Sequence, residues 1–335
     1  MSRLFMLLML CLGIATTAQA SDLSNIFQKV KRATVVIHTR ESMKQTTAKG
    51  LVTTSSRGLG SGVVINHQGD ILTAAHVVNV ADQIVVQFED GKTYKARVTS
   101  SMPMADIALL RLTEMPDKLY PVSQWDSDKL RPGNEVFIVG APYGFEFTLT
   151  AGHFSGRRVM DDSITEEPLE FLQTDASINK GNSGGPMFTK SGKLIGIVSH
   201  IQSTSGGSEG LGFAASINMI RNLLLDRPPL WIGIDMIPLD GPYAKALNVA
   251  EDEGFLVQRV ASDSWAEAAG IQGGSINITA GTQQIVIGGD IVLRIGGKNV
   301  YYTRAGMRRI TEYLDTILPG ADIQMTILRG GKQIV

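Results

Sequence analysis

Three short segments carry side chains able to do covalent chemistry on an acyl group. In Gly181-Asn182-Ser183-Gly184-Gly185-Pro186, glycines allow a tight turn that exposes a serine hydroxyl. Neighbouring backbone N–H groups can then converge on one point and stabilise the oxyanion of a tetrahedral intermediate. Gly181 and Ser183 are the expected donors, with Asn182 between them in the same oxyanion turn. The same composition also makes an ordinary turn between strands, so this segment does not decide alone. Serine is a poor nucleophile until an imidazole takes its proton. In Thr73-Ala74-Ala75-His76-Val77-Val78 small residues give a histidine room to approach a cleft. His38, His67, His153 and His200 lack this setting and read as structural histidines. The third segment, Met104-Ala105-Asp106-Ile107-Ala108-Leu109-Leu110, places an acid at the mouth of an apolar strand. Such a carboxylate is costly unless hydrogen-bonded, and a histidine Nδ1–H is a fitting partner. A strand-capping Asp is the simpler reading of that segment alone; the order His76, Asp106, Ser183 makes a triad of the three.

These groups need a rigid frame. Short β-branched and apolar runs recur at Thr34–Ile37, Gly62–Ile65, Asp70–Thr73, Gln83–Phe88, Ile107–Leu112, Val136–Val139 and Leu194–Val198, the pattern of an all-β barrel or sandwich. Helical periodicity is confined to Leu23–Lys31, Ile217–Leu225 and Ala305–Ile317. Arg40–Gly60, Gly156–Pro168 and Gln202–Gly210 lack an apolar pattern and read as long loops. Arg227-Pro228-Pro229 ends the second helix and marks a domain boundary. Strand-like runs at Leu230–Ile234, Gly254–Val260, Asp290–Ile295 and Ile323–Leu328, with one helix, then describe a small mixed α/β unit. Gly273–Gly289 adds a hairpin to it.

The segments Gly60-Ser61-Gly62-Val63-Val64-Ile65, Thr73-Ala74-Ala75-His76, Ala105–Leu110, Gln173-Thr174-Asp175-Ala176 and Gly181–Pro186 resemble the HtrA/Deg family of serine proteases. The resemblance implies a mainly β fold, a trypsin-like double β-barrel followed by a small α/β PDZ domain, and a homotrimer. It divides the chain into a signal peptide at 1–20, a protease domain at 21–228 and a PDZ domain at 229–335. Trp231-Ile232-Gly233-Ile234 resembles the carboxylate-binding loop of such PDZ domains, where backbone N–H groups hold a peptide C-terminus. A strand with a glycine bulge is the alternative there. Arg157, in the loop beside Asp161 and Asp162, is the expected regulatory contact between that domain and the active site. Lys180 departs from the proline or arginine common before the oxyanion turn. A small aliphatic side chain is expected before the scissile bond, against a wall made by Leu194–Val198 and Met187.

Composition limits the partners. The 335 residues are 43% hydrophobic and 19% charged, with a formal net charge of −1, which argues against a nucleic-acid surface. Arg3, the apolar Leu4–Ala15 and Ala18-Gln19-Ala20 form a signal-peptide pattern with cleavage after Ala20. An uncleaved anchor is the alternative, but the apolar run is short for a membrane span. The expected location is the periplasm, or the exterior if the source has no outer membrane. The one cysteine, Cys11, lies in the leader. No metal, nucleotide or other cofactor motif is present. The leading function is a serine endopeptidase acting on unfolded or misfolded exported proteins. The competing reading is a regulator whose cleft is held inactive while its PDZ domain recruits partners.

Overall fold

The computed structural model describes residues 23–160, 168–280, 283–317 and 321–335. The expected leader with Cys11, and Asp161 and Asp162, lie outside the described residues. Strands β1 (Thr34–Thr47), β2 (Gly50–Val64), β3 (Asp70–Thr73), β4 (Gln83–Gln87), β5 (Thr93–Met102) and β6 (Ile107–Leu112) close into a barrel in the order β1-β2-β3-β6-β5-β4. A second closed barrel runs β10-β11-β12-β9-β8-β7. Its strands are β7 (Glu135–Gly140), β8 (Thr148–Met160), β9 (Leu169–Thr174), β10 (Pro186–Thr189), β11 (Leu194–Ile201) and β12 (Gly212–Ser216). This is the double β-barrel that the resemblance implies.

Period-2 alternation sorts the apolar runs between two destinations. Ile71, Leu110 and Val86 fill the first barrel, and Ile138, Met187 and Val198 the second. Their strand neighbours Leu72, Ile107, Phe137, Phe188 and Ile197 form a separate cluster that joins the barrels. Both faces of these strands are buried, which is why they read as unbroken apolar runs. Each such Leu, Ile or Phe contributes roughly 1.5–3 kcal/mol of burial. Met187 and Leu194–Val198 are wholly internal, so they are core and not the wall of a substrate pocket as expected.

The stretch Arg40–Gly60, expected as a loop, is instead a paired hairpin. Its register runs without a break from Thr34↔Val63 to Thr47↔Gly50. Beyond the barrel both faces meet water, so no apolar alternation announces it, while its threonines suit a strand.

The C-terminal residues form a separate sheet in the order β13-β14-β17-β19-β20, with β18 beside β17. Here β13 is Ile234–Asp240, β14 Glu253–Val260, β17 Ile291–Ile295, β18 Lys298–Asn299, β19 Met325–Arg329 and β20 Lys332–Ile334. The expected extra hairpin is β15 (Ile276–Ala280) with β16 (Gln283–Ile287). The strand expected at Leu230–Ile234 starts only at Ile234. The expected helix is Arg304–Asp315, capped by Thr303, whose side chain accepts from Gly306 N, and two shorter helices, Gly241–Ala246 and Trp265–Ala268, accompany it. Among the described residues no helix is long and apolar enough to cross a membrane.

This unit docks on the first barrel. Trp231 packs against the barrel's apolar cluster, and its indole N–H donates to Asn79 O at 3.0 Å. Asn79 Nδ2 donates to Ile234 O at 3.1 Å, and Ser262 N to Asp82 Oδ1 at 3.0 Å. Arg259 Nη1 meets Glu41 Oε2 at 3.1 Å. At the hairpin tip Thr46 N donates to Ser275 O at 2.7 Å.

Candidate active site

β3 ends at Thr73 and a single helical turn, Ala75–Val78, carries His76 out of the barrel. Ala74 and Ala75 are fully buried beneath it, where a larger side chain would lift the turn. Asp106 follows a short helical turn, Pro103–Ala105, and adopts a left-handed φ of 52° at the mouth of β6. That bend aims its carboxylate at His76. His76 Nδ1 lies 2.9 Å from both Asp106 oxygens, and the His76 amide donates to Oδ1 at 3.0 Å. Ser199, on β11 of the other barrel, donates its hydroxyl to Oδ2 at 2.6 Å. Burial alone would raise the pKa of Asp106, but the bonds from His76 and Ser199 hold it below the usual value. An ionised Asp106 fixes the His76 proton on Nδ1 and leaves Nε2 to accept.

Ser183 sits in the connection that feeds β10. Gly181 has φ +101° and Gly184 φ +79°, and a Cβ would fall 2.1 Å from Ala141 O at the first and 2.2 Å from Thr73 Oγ1 at the second. Only glycine fits either place. Ser61 of β2 clamps this turn to the first barrel: its N–H donates to Ser183 O at 2.8 Å and its hydroxyl to Gly181 O at 2.8 Å. The Ser61 hydroxyl in turn accepts from Ala141 N at 3.1 Å.

The three amides of the expected oxyanion turn are not equivalent. Asn182 N–H donates to Asn179 O at 3.0 Å, so it is engaged within the turn and is not directed at an oxyanion. Lys180 O accepts from Tyr143 N at 2.7 Å. A trans peptide points the Gly181 N–H opposite to that carbonyl. Among the described residues neither the Gly181 nor the Ser183 amide has a protein acceptor, and the Ser183 hydroxyl makes no hydrogen bond. A serine–imidazole hydrogen bond often forms only when substrate arrives.

The trypsin-like peptidase domain profile matches residues 60–197. A "Probable periplasmic serine protease do/HhoA-like" of Haemophilus influenzae is 38% identical over 286 residues, covering 82% of this chain and 56% of that protein. The "Periplasmic pH-dependent serine endoprotease DegQ" of Escherichia coli is 37% identical over 287 residues, covering 83% and 58%. The solved "HtrA-type protease AlgWS227A with decapeptide" superposes with a TM-score of 0.57 and 26% identity, over 93% of this chain and 95% of that one. The chain belongs to the HtrA/Deg family of serine proteases. It spans about half the length of the curated relatives it matches.

In this HtrA/Deg protein the sequence segments around His76, Asp106 and Ser183 come together between the two barrels. Ser61 and Ser199 went unread because their partners are distant in the chain. Arg157 is not aimed at that site. Its guanidinium pairs with Glu170 at 2.9 Å, hydrogen-bonds Ser127 O and lies over the Phe154 ring, which ties β8 and β9 of the second barrel to the chain before β7. Trp231, Ile232, Gly233 and Ile234 lie where the C-terminal sheet meets the first barrel, with Gly233 at φ +75° and Ile234 already paired to Val260.

Proposed function

We propose that this HtrA/Deg protein is a periplasmic serine endopeptidase that cleaves unfolded or misfolded exported proteins. Ser183 attacks the carbonyl, His76 takes its proton and Asp106 holds the imidazole. The Gly181 and Ser183 amides receive the oxyanion, His76 passes the proton to the leaving amine as the peptide bond breaks, and water deprotonated by His76 then releases the acyl-enzyme. The single observation that carries the reading is the Asp106 carboxylate, bonded by His76 from one barrel and Ser199 from the other. A small aliphatic residue before the scissile bond rests on the family resemblance.

The C-terminal unit, residues 229–335, is read as a PDZ domain, with Trp231–Ile234 as its carboxylate loop. A peptide would add beside β13, an edge strand. Ile310 of the helix Arg304–Asp315 shares an apolar cluster with Ile234, which supports that helix as the other wall. Because Trp231 and Ile234 also bind Asn79, an arriving peptide and the docking of this unit act on the same residues. A homotrimer and a regulatory part for Arg157 rest on the family resemblance.

The test is digestion of an unfolded protein by the wild type and by Ser183→Ala, with cleavage sites mapped and the serine labelled by a fluorophosphonate. Turnover is expected to depend on Ser183 and to fall after small apolar residues. Undiminished turnover by a folded Ser183→Ala protein would overturn the reading.

A further inference from the structure

His200 reads as a structural histidine in the sequence, yet it stands one residue after Ser199 on β11. Its ring stacks on Phe213 at 4.9 Å between centroids, 16° from parallel, and meets the edge of Phe171 at 5.3 Å. Its Nδ1 lies 3.0 Å from Ser199 Oγ. The same Oγ lies 2.6 Å from Asp106 Oδ2.

Counting protons fixes the direction of every bond in this chain. Asp106 is ionised, so it only accepts, and Ser199 has one hydroxyl hydrogen, which goes to Asp106. The remaining bond of Ser199 is therefore one it accepts, and its donor is His200 Nδ1–H. His200 keeps an exposed side, and the partial burial of its ring pushes the imidazole toward its neutral form, against the pull of the Asp106 carboxylate. A neutral ring has a single N–H, and the geometry assigns it to Nδ1. Donation then runs from His200 through Ser199 to Asp106, while His76 donates to the same carboxylate from the other barrel. Each donor in such a chain strengthens the next by polarising it.

We infer that His200 is a positioning residue for the triad, acting through Ser199 to hold the Asp106 carboxylate in the orientation that directs His76. The inference rests on the triad reading above. The alternative is that His200 merely fills the space between two phenylalanines.

Two substitutions separate these roles. His200→Phe keeps an aromatic ring and removes the donor, whereas His200→Asn gives up the ring and keeps an N–H at the Nδ1 position. For an unfolded-protein substrate, positioning predicts that His200→Phe lowers kcat about threefold to tenfold with KM within about twofold, and that His200→Asn recovers most of the loss. Ser199→Ala should lower kcat as well, and adding His200→Phe to it should cost nothing more. Wild-type kcat in His200→Phe, a worse loss in His200→Asn, or losses that multiply in the double variant would overturn it. Independently of turnover, nitrogen-15 spectra of the Ser183→Ala protein should show His200 as the Nδ1–H tautomer, with that proton's resonance moved by Ser199→Ala. An Nε2–H tautomer ends the inference and leaves the triad standing. Ser183-independent cleavage ends the triad reading and, with it, the inferred role.

Discussion

Asp106 holds a left-handed φ of 52°, a conformation that Asn and Asp tolerate and most side chains resist. Asp106→Asn keeps the backbone and removes the charge, so it is expected to fold normally and to lose orders of magnitude in kcat. Asp106→Ala adds a backbone penalty of about 1 kcal/mol to the same loss. Thermal denaturation of both variants beside their kinetics checks this, and a destabilised Asp106→Asn with retained turnover would contradict it. The proposed triad of His76, Asp106 and Ser183 could be read in the sequence because each carries its own local setting: alanines under the histidine, an apolar strand after the acid, glycines around the serine. Ser199 and His200 have no such setting. Their roles exist only through Asp106, which lies 93 residues from Ser199 in the chain.

The elements that bring these residues together depend on a few buried polar clamps. Ser61 is wholly inaccessible and joins β2 to the turn at Gly181–Ser183. Ser61→Ala leaves the Gly181 carbonyl and the Ala141 N–H with only their long bond to each other, at 3.4 Å. About 1–3 kcal/mol of stability should be lost, with a fall in kcat larger than the change in KM. Urea unfolding and steady-state kinetics read the two effects, and unchanged values for both would refute the clamp. In the C-terminal unit the buried Asp290 accepts a two-pronged bond from Arg329, at 2.7 and 2.6 Å. Arg329→Met leaves that carboxylate without its cation and is expected to cost about 3–5 kcal/mol, seen as early melting of this unit. The barrel strands buried on both faces were legible as apolar runs. The outer parts of β1 and β2 were not, since neither of their faces enters a core and their register comes from cross-strand pairing alone.

At the scale of the whole molecule, acidic groups crowd the junction between the first barrel and the C-terminal unit. Burial raises the pKa of Glu41 and of Asp235 above their ordinary values of 4.5 and 3.8, although Arg259 pulls both down. Asp82 is also partly buried, but bonds from Ser262 and Ser42 hold its pKa below 3.8. A docked state that binds protons more tightly at Glu41 and Asp235 than the undocked state is strengthened as pH falls through their raised values. Further acidification protonates Asp82, whose bonds require the charge, and weakens docking again. Interdomain distances from spin labels are therefore expected to tighten on mild acidification from pH 7 and to broaden again in acid strong enough to protonate Asp82, below its ordinary 3.8. A flat response, or a Glu41→Gln protein as pH-sensitive as the wild type, would contradict this. Because the proposed triad draws on both barrels, its assembly has an order in time. His76 and Asp106 leave the ribosome before Ser183 and Ser199, so a growing chain holds an imidazole and a carboxylate with no nucleophile. On the proposed function it can cut nothing until the second barrel has closed on the first. Halves severed between Leu112 and Glu135 should each be inert alone and regain turnover when refolded together.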